Sequence, residues 1–213
     1  MKRYLSYFAM LLFLNACSTQ NAPGYSTYLE RKNIPEPTLE SFAHCHGYGC
    51  ERYKDITLTA EQWQQILTPF KVKAQDAKTE REQIEESVGE FEKVVGPIAG
   101  TENDIRGTFR KTGMRQHDCV DESTNTTIYL LLLEQKGKIQ FHDILGPSSR
   151  FLINGRPGWP HQTAVIREKA SEKSYAVDSW FRNNGYPALT VPMEEWNKGW
   201  LPTDDLRPEV REK

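Results

Sequence analysis

The chain has 213 residues, with 27 basic and 29 acidic side chains, a formal net charge of -2 at pH 7 and a mean hydropathy of -0.67. No basic excess is available to neutralise a phosphate backbone, which excludes nucleic acid as a partner. Internal repeats, low-complexity tracts and a second long hydrophobic segment are absent from the sequence.

The first element is "MKRYLSYFAMLLFLNACSTQ": two cations, an apolar run from Tyr4 to Leu14, then small residues. The run is about a dozen residues, short of the roughly 20 a membrane span requires, so it reads as a processed secretion signal. Leu14, Asn15, Ala16 and Cys17 resemble a lipobox, which implies cleavage before Cys17 and its acylation. Ser18 is not the aspartate associated with inner-membrane retention, so the resemblance points to the outer membrane. The alternative is a simple secretion signal with a coincidental cysteine. Expected boundaries are residues 1–16 as signal peptide, 17–40 as a polar, Pro-containing tether and 41–213 as one folded domain. Cleavage removes Lys2 and Arg3 and no acid, moving the net charge from -2 to -4. About 170 residues then remain, enough for a single sizeable core.

Cys45 and Cys50 lie in "HCHGYGC", where two glycines allow a tight loop. In an oxidising compartment they are expected to form a disulfide. A metal site using His44, Cys45, His46 and Cys50 is the competing reading, but four ligands in seven residues are geometrically awkward. Free thiols are the third. Cys119 is left without a partner.

Thr59 with Gln62 forms a capping-box pattern ahead of "EQWQQIL", predicting a helix from Thr59. Ile84, Val88, Phe91 and Val95 make one apolar stripe on a longer helix expected to end near Val95, with Gly96, Pro97 and Gly100 as breakers. A further helix is predicted to start at Cys119, capped by Asp118, with Cys119, Ser123 and Thr127 on one side and Gly137 ending the run. "KIQFHDIL", "PHQTAVIREK", "KSYAVDSWF" and "ALTVPM" read as strands, and "EEWNKGW" as a helical turn. Helices followed by strands predict an α+β domain with N-terminal helices packed on an antiparallel sheet.

A cysteine at a helix start has backbone N–H groups and the helix dipole to favour its thiolate, although Asp118 and Asp121 oppose that charge. A base is therefore required. His161 opens one predicted strand and Asp178 ends the next, so antiparallel pairing would set the carboxylate beside the imidazole. His142 and His117 are weaker candidates. The Cys119 N–H and the Gln116 side chain are candidate oxyanion donors, and Trp159 and Trp180 are candidate walls.

The order Cys, His, Asp on a helix start and two successive strands, in "HDCVDEST", "WPHQTAVI" and "YAVDSWF", resembles the bacterial transglutaminase-like cysteine proteinases of the papain-like superfamily. The resemblance covers roughly residues 80–190. It implies Cys119 as nucleophile, His161 as base and acid and Asp178 as its orienting group. The function so implied is a periplasmic cysteine peptidase or amidase, with transamidation as a variant, acting on protein or cell-wall peptides without metal or cofactor. An outer-membrane lipid anchor through Cys17 and an envelope protein partner are also expected. The contrasting expectation is a noncatalytic outer-membrane lipoprotein that uses the fold for binding or assembly.

Overall fold

The computed structural model describes residues 24–108, 113–151 and 160–203. Cys17 and Trp159 lie outside them. Part of the expected tether is helical: α1 (Tyr25–Arg31) buries Tyr28 and Leu29, and the Tyr28 hydroxyl lies 2.7 Å from Thr124 Oγ1. One aromatic and one aliphatic side chain in a polar stretch suffice to dock about two helical turns onto the core.

β1 (Phe42–His46) and β2 (Arg52–Ile56) form an antiparallel hairpin that the cysteine loop closes. Cys45 and Cys50 are disulfide-bonded, as expected, which removes them as a metal site. β1 is almost wholly buried because its free edge rests on a helix rather than on water. Asn125 supplies the missing strand partner there: its Oδ1 accepts from the Cys45 N–H at 2.6 Å and its Nδ2 donates to the Cys45 carbonyl at 3.0 Å. A side-chain amide thus satisfies backbone groups that would otherwise be buried and unpaired.

α2 (Ala60–Ile66) starts at the Thr59–Gln62 capping box and leads into a 3₁₀ turn (Thr68–Lys71). α3 (Ala77–Ala99) buries the expected Ile84, Val88, Phe91 and Val95 stripe. It runs past Gly96 and Pro97 and ends at Gly100, which adopts the left-handed φ of 80°. Proline in the last turn forfeits only one backbone bond, whereas a left-handed residue terminates the helix. Gly89 permits close packing, since a Cβ there would lie 2.9 Å from the backbone of Tyr186.

α4 (Cys119–Gln135) begins where expected, capped by Asp118. The expected one-sided face is replaced by burial almost all round, from Cys119 to Leu133. The helix is central, with the hairpin and α3 around it and the four-stranded sheet against it.

That sheet is antiparallel in the order β3 (His142–Arg150), β4 (His161–Glu168), β5 (Ser174–Asp178), β6 (Leu189–Pro192), followed by α5 (Met193–Asn197). A bulge between Leu145 and Ser148 takes up Gly146 and Pro147, since proline has no N–H for the ladder. Beyond the bulge Arg150 pairs with His161. No helix among the described residues is long and apolar enough to cross a membrane.

Candidate functional site

The acids around Cys119 act first as anchors. Asp118 Oδ1 accepts from the N–H groups of Val120 and Asp121, each at 2.9 Å, and its Oδ2 accepts from Gly49 at 2.9 Å. Asp121 is fully buried and accepts from Tyr48, Cys50 and Asp118 backbone N–H groups at 2.8, 2.8 and 3.2 Å. Gly47, Tyr48, Gly49 and Cys50 are four successive residues with positive φ, and the N–H groups of the last three converge on these carboxylates. Two of the four carry side chains, and that conformation costs roughly 1–2 kcal/mol for each. The disulfide and the charge-assisted bonds offset the strain.

The expected histidine–aspartate pair forms. Asp178 sits opposite Thr163 by the β4–β5 register, making it a diagonal neighbour of His161 on one sheet face. His161 Nε2 lies 2.8 Å from Asp178 Oδ2. Trp180, a candidate wall from the sequence, lies with its ring centroid 4.8 Å from the imidazole; not visible there were Phe181 and Trp196, at 5.1 and 5.5 Å, and the bond from Trp196 Nε1 to the same Asp178 oxygen at 2.8 Å.

Cys119 does not complete a triad. It is buried with Trp180 and Phe181, and burial pushes its thiol up to about 12, with Asp118 and Asp178 adding to the rise. The Gln162 backbone N–H beside it only partly counters that rise, and His161 Nδ1 has no hydrogen-bond partner among the described residues. A thiol at that value is protonated throughout the physiological range, and no base is hydrogen-bonded to it. The cysteine peptidase, amidase or transamidase reading is therefore corrected. The protein or cell-wall peptide substrate falls with it. Cys45 and Cys50 are joined to each other, so neither carries a lipid; no anchoring cysteine is found among the described residues.

Gln116 does not serve as an oxyanion donor either. Its Nε2 donates to the Asn103 carbonyl at 2.8 Å and its Oε1 accepts from the Ile105 N–H at 2.9 Å, pinning the 103–105 loop. His142 is a core residue, its Nδ1 donating to buried Glu80 at 2.8 Å while its Nε2 faces Arg81. Trp180 packs as a wall, as expected, and its indole N–H donates to the Thr108 carbonyl at 3.2 Å.

A second buried polar cluster lies close by in sequence. His117 Nδ1 stands 2.9 Å from Glu122 Oε1 and 3.6 Å from Asp104 Oδ2, and all three side chains are buried. The His117 backbone N–H donates to Asp104 Oδ1 at 2.6 Å, and Ser179 Oγ donates to Glu122 Oε2 at 2.5 Å. Burial alone would drive His117 to neutrality, but Asp104 and Glu122 outweigh it and hold its pKa well above the usual imidazole range. Burial pushes Asp104 up to about 6 despite His117. Burial acts likewise on Glu122, yet the His117 and Ser179 bonds win and lower it. Neighbouring Glu92, driven mainly by burial and then by Glu122, is raised well above the carboxylate range.

One nitrogen and two oxygen donors within 4.8 Å of one another form a set that suits a divalent cation. Asp104 also lines a polar cavity of about 160 Å³ with Glu102, Asn103, Asn183, Asn184 and Tyr186. Glu122 gave no sequence signal, because the all-round burial of α4 that obliges it to have a partner shows only in the structure. Asp104 gave none either, being a loop residue 13 positions from His117.

Fold and site together define a mixed α+β protein with antiparallel sheets, a structural disulfide and a buried Asp–His–Glu cluster. Comparison with known protein families, with curated proteins and with solved structures finds no match to this chain.

Proposed function

We propose that this chain is a noncatalytic binding or assembly module of the bacterial envelope, and that Asp104, His117 and Glu122 give it a site for a divalent cation. The single observation that carries the reading is that cluster: three buried donor atoms of mixed type within 4.8 Å of one another. A cation would take the position of the His117 Nδ1 proton between the two carboxylates, binding with proton release. In this reading the architecture is transglutaminase-like, with a helix start packed on the strands that bear His161 and Asp178, but it serves as a scaffold. Envelope location rests on the leader sequence and on the Cys45–Cys50 disulfide, which fits an oxidising compartment; outer-membrane placement rests on the residues after Ala16.

Titration of the purified, EDTA-stripped chain with zinc or manganese tests the site. Saturable one-to-one uptake with a rise in melting temperature is expected, lost in Asp104→Asn and Glu122→Gln variants that remain folded by circular dichroism. Uptake unchanged in both variants would remove the cluster as the site. In the native host, Cys119→Ala should leave envelope integrity unaltered, and a null phenotype for it would restore a requirement for the thiol.

A further inference from the structure

We propose that the open groove between α2, the 3₁₀ turn and the C-terminal end of α4 docks an acidic segment of a partner protein that carries apolar anchor side chains. The proposal deepens the binding-module reading and rests on it, although it uses none of the cation-site residues.

The groove encloses about 1010 Å³ and is open to solvent. That is at the upper end of the range for small-molecule pockets, roughly 300–1,000 Å³, and its openness suits a chain segment more than an enclosed metabolite. Partly buried Leu67 and the outer edges of the otherwise buried Trp63 and Phe70 supply an apolar floor, and Val72, 76% exposed, stands immediately beyond Lys71. Lys71, Lys136 and Lys138 line the walls against one acid, Glu61. None of these three lysines has an ion-pair partner among the described residues, in a chain whose overall charge is negative. Lys136 is held 4.6 Å over the Trp63 ring, so its ammonium is placed above an apolar surface instead of extending into water.

Charge complementarity defines the occupant. Carboxylates spaced along a peptide meet the three ammonium groups, while aliphatic or aromatic side chains meet Trp63, Leu67 and Phe70. A purely anionic ligand would leave that floor wet, and a purely apolar one would leave three cations without counter-charges.

The test uses a short fluorescein-labelled peptide alternating Glu and Leu, read by fluorescence anisotropy against the full folded chain. Comparison arms are the Gln/Leu analogue, an all-Glu peptide and phosphatidylglycerol vesicles. The expected result is saturable binding that weakens with added salt, with at least about tenfold weaker binding in the Gln/Leu and all-Glu arms and in the combined Lys71→Glu, Lys136→Glu, Lys138→Glu variant. Glu122→Gln should bind the peptide as the wild type does, which separates failure of the groove from failure of the cation site. Circular dichroism checks the charge-reversed variant, and Lys71→Glu alone, at an exposed position, gives a second reading with a smaller loss. The proposal is overturned by no binding of the Glu/Leu peptide, by equal binding in both charge variants, or by all-Glu peptide or vesicles binding as tightly.

Discussion

Cys119 shows how strongly surroundings decide the chemistry of one side chain. At a helix start its thiol has donors to favour ionisation, but burial and two nearby carboxylates dominate and place its pKa at about 12. Because that value is raised, the reactive thiolate is absent at neutral pH and grows only as pH climbs toward 12. Iodoacetamide labelling of the native chain, followed by mass analysis of the Cys119 peptide, should be slow at pH 7.5 and fast once urea exposes the residue. Rapid native labelling at neutral pH would contradict this environment. Asp121 supports a second expectation at this scale. Removing its carboxylate leaves the Tyr48, Cys50 and Asp118 N–H groups without their acceptor, and each buried unsatisfied donor costs roughly 1–3 kcal/mol. Asp121→Ala should therefore lower unfolding stability by about 3 kcal/mol or more in urea titrations. An effect below about 1 kcal/mol would show that water replaces the carboxylate.

At the level of elements, the β1–β2 hairpin depends on three attachments: the disulfide, the Asp118 and Asp121 carboxylates on its left-handed turn, and Asn125 on its edge. The disulfide closes a loop of sequence separation 5. Loop-closure entropy for so short a loop gives about 2 kcal/mol of stabilisation. Reduction should lower the melting temperature and selectively accelerate amide exchange in Phe42–His46, while β3 to β6 keep their protection. Uniform acceleration across both sheets would mean that the hairpin and the main sheet unfold as one unit. The bulge at Gly146 and Pro147 acts differently: it resets the β3–β4 register so that Arg150 meets His161, and Arg150 stacks over Trp196 with its guanidinium carbon 4.5 Å from the ring centroid.

For the whole molecule, most of the buried titratable groups push the pH dependence in one direction, opposed by His44, which burial holds well below the usual imidazole range so that its contribution rises with pH through 6.5. Asp104 and Asp121 are raised from 3.8 to about 6 and about 7, mainly by burial, and Glu92 is raised by the same cause. Between the ordinary and the raised values the folded chain holds protons that the unfolded chain has released, so stability falls as pH rises through that window. His117, raised above 6.5 by Asp104 and Glu122 against the opposing effect of burial, contributes stability that is complete below 6.5 and lost as pH rises through its folded value. Glu122, lowered, acts in the other direction but only on the acid side of 4.5. The metal-free chain should therefore melt at a higher temperature at pH 5 than at pH 8. Scanning calorimetry in EDTA checks this, and a higher melting temperature at pH 8 would refute it.

Local pattern by itself determined most of the elements from α2 onward and the pairing of β4 with β5. The Thr59 and Asp118 caps, the α3 stripe, the alternating strands and the Cys45–Cys50 pair are written in neighbouring residues, because capping, periodicity and short-loop cross-linking act over a few positions. The adjacency of His161 and Asp178 also followed from strand order. What only the tertiary structure decided was the balance of burial and charge. The acids of "DCVDE" read as an obstacle to a thiolate and proved to be moorings and cluster members, since their partners at Asp104, Cys50 and Ser179 come from distant parts of the chain. Desolvation depends on everything packed around a group, so the protonation of Cys119 and the role of His117 could not be read from its neighbours in sequence. α1, the hairpin edge and Trp196 escaped notice for the same reason: two or three contacts across the fold, rather than a local pattern, hold each in place.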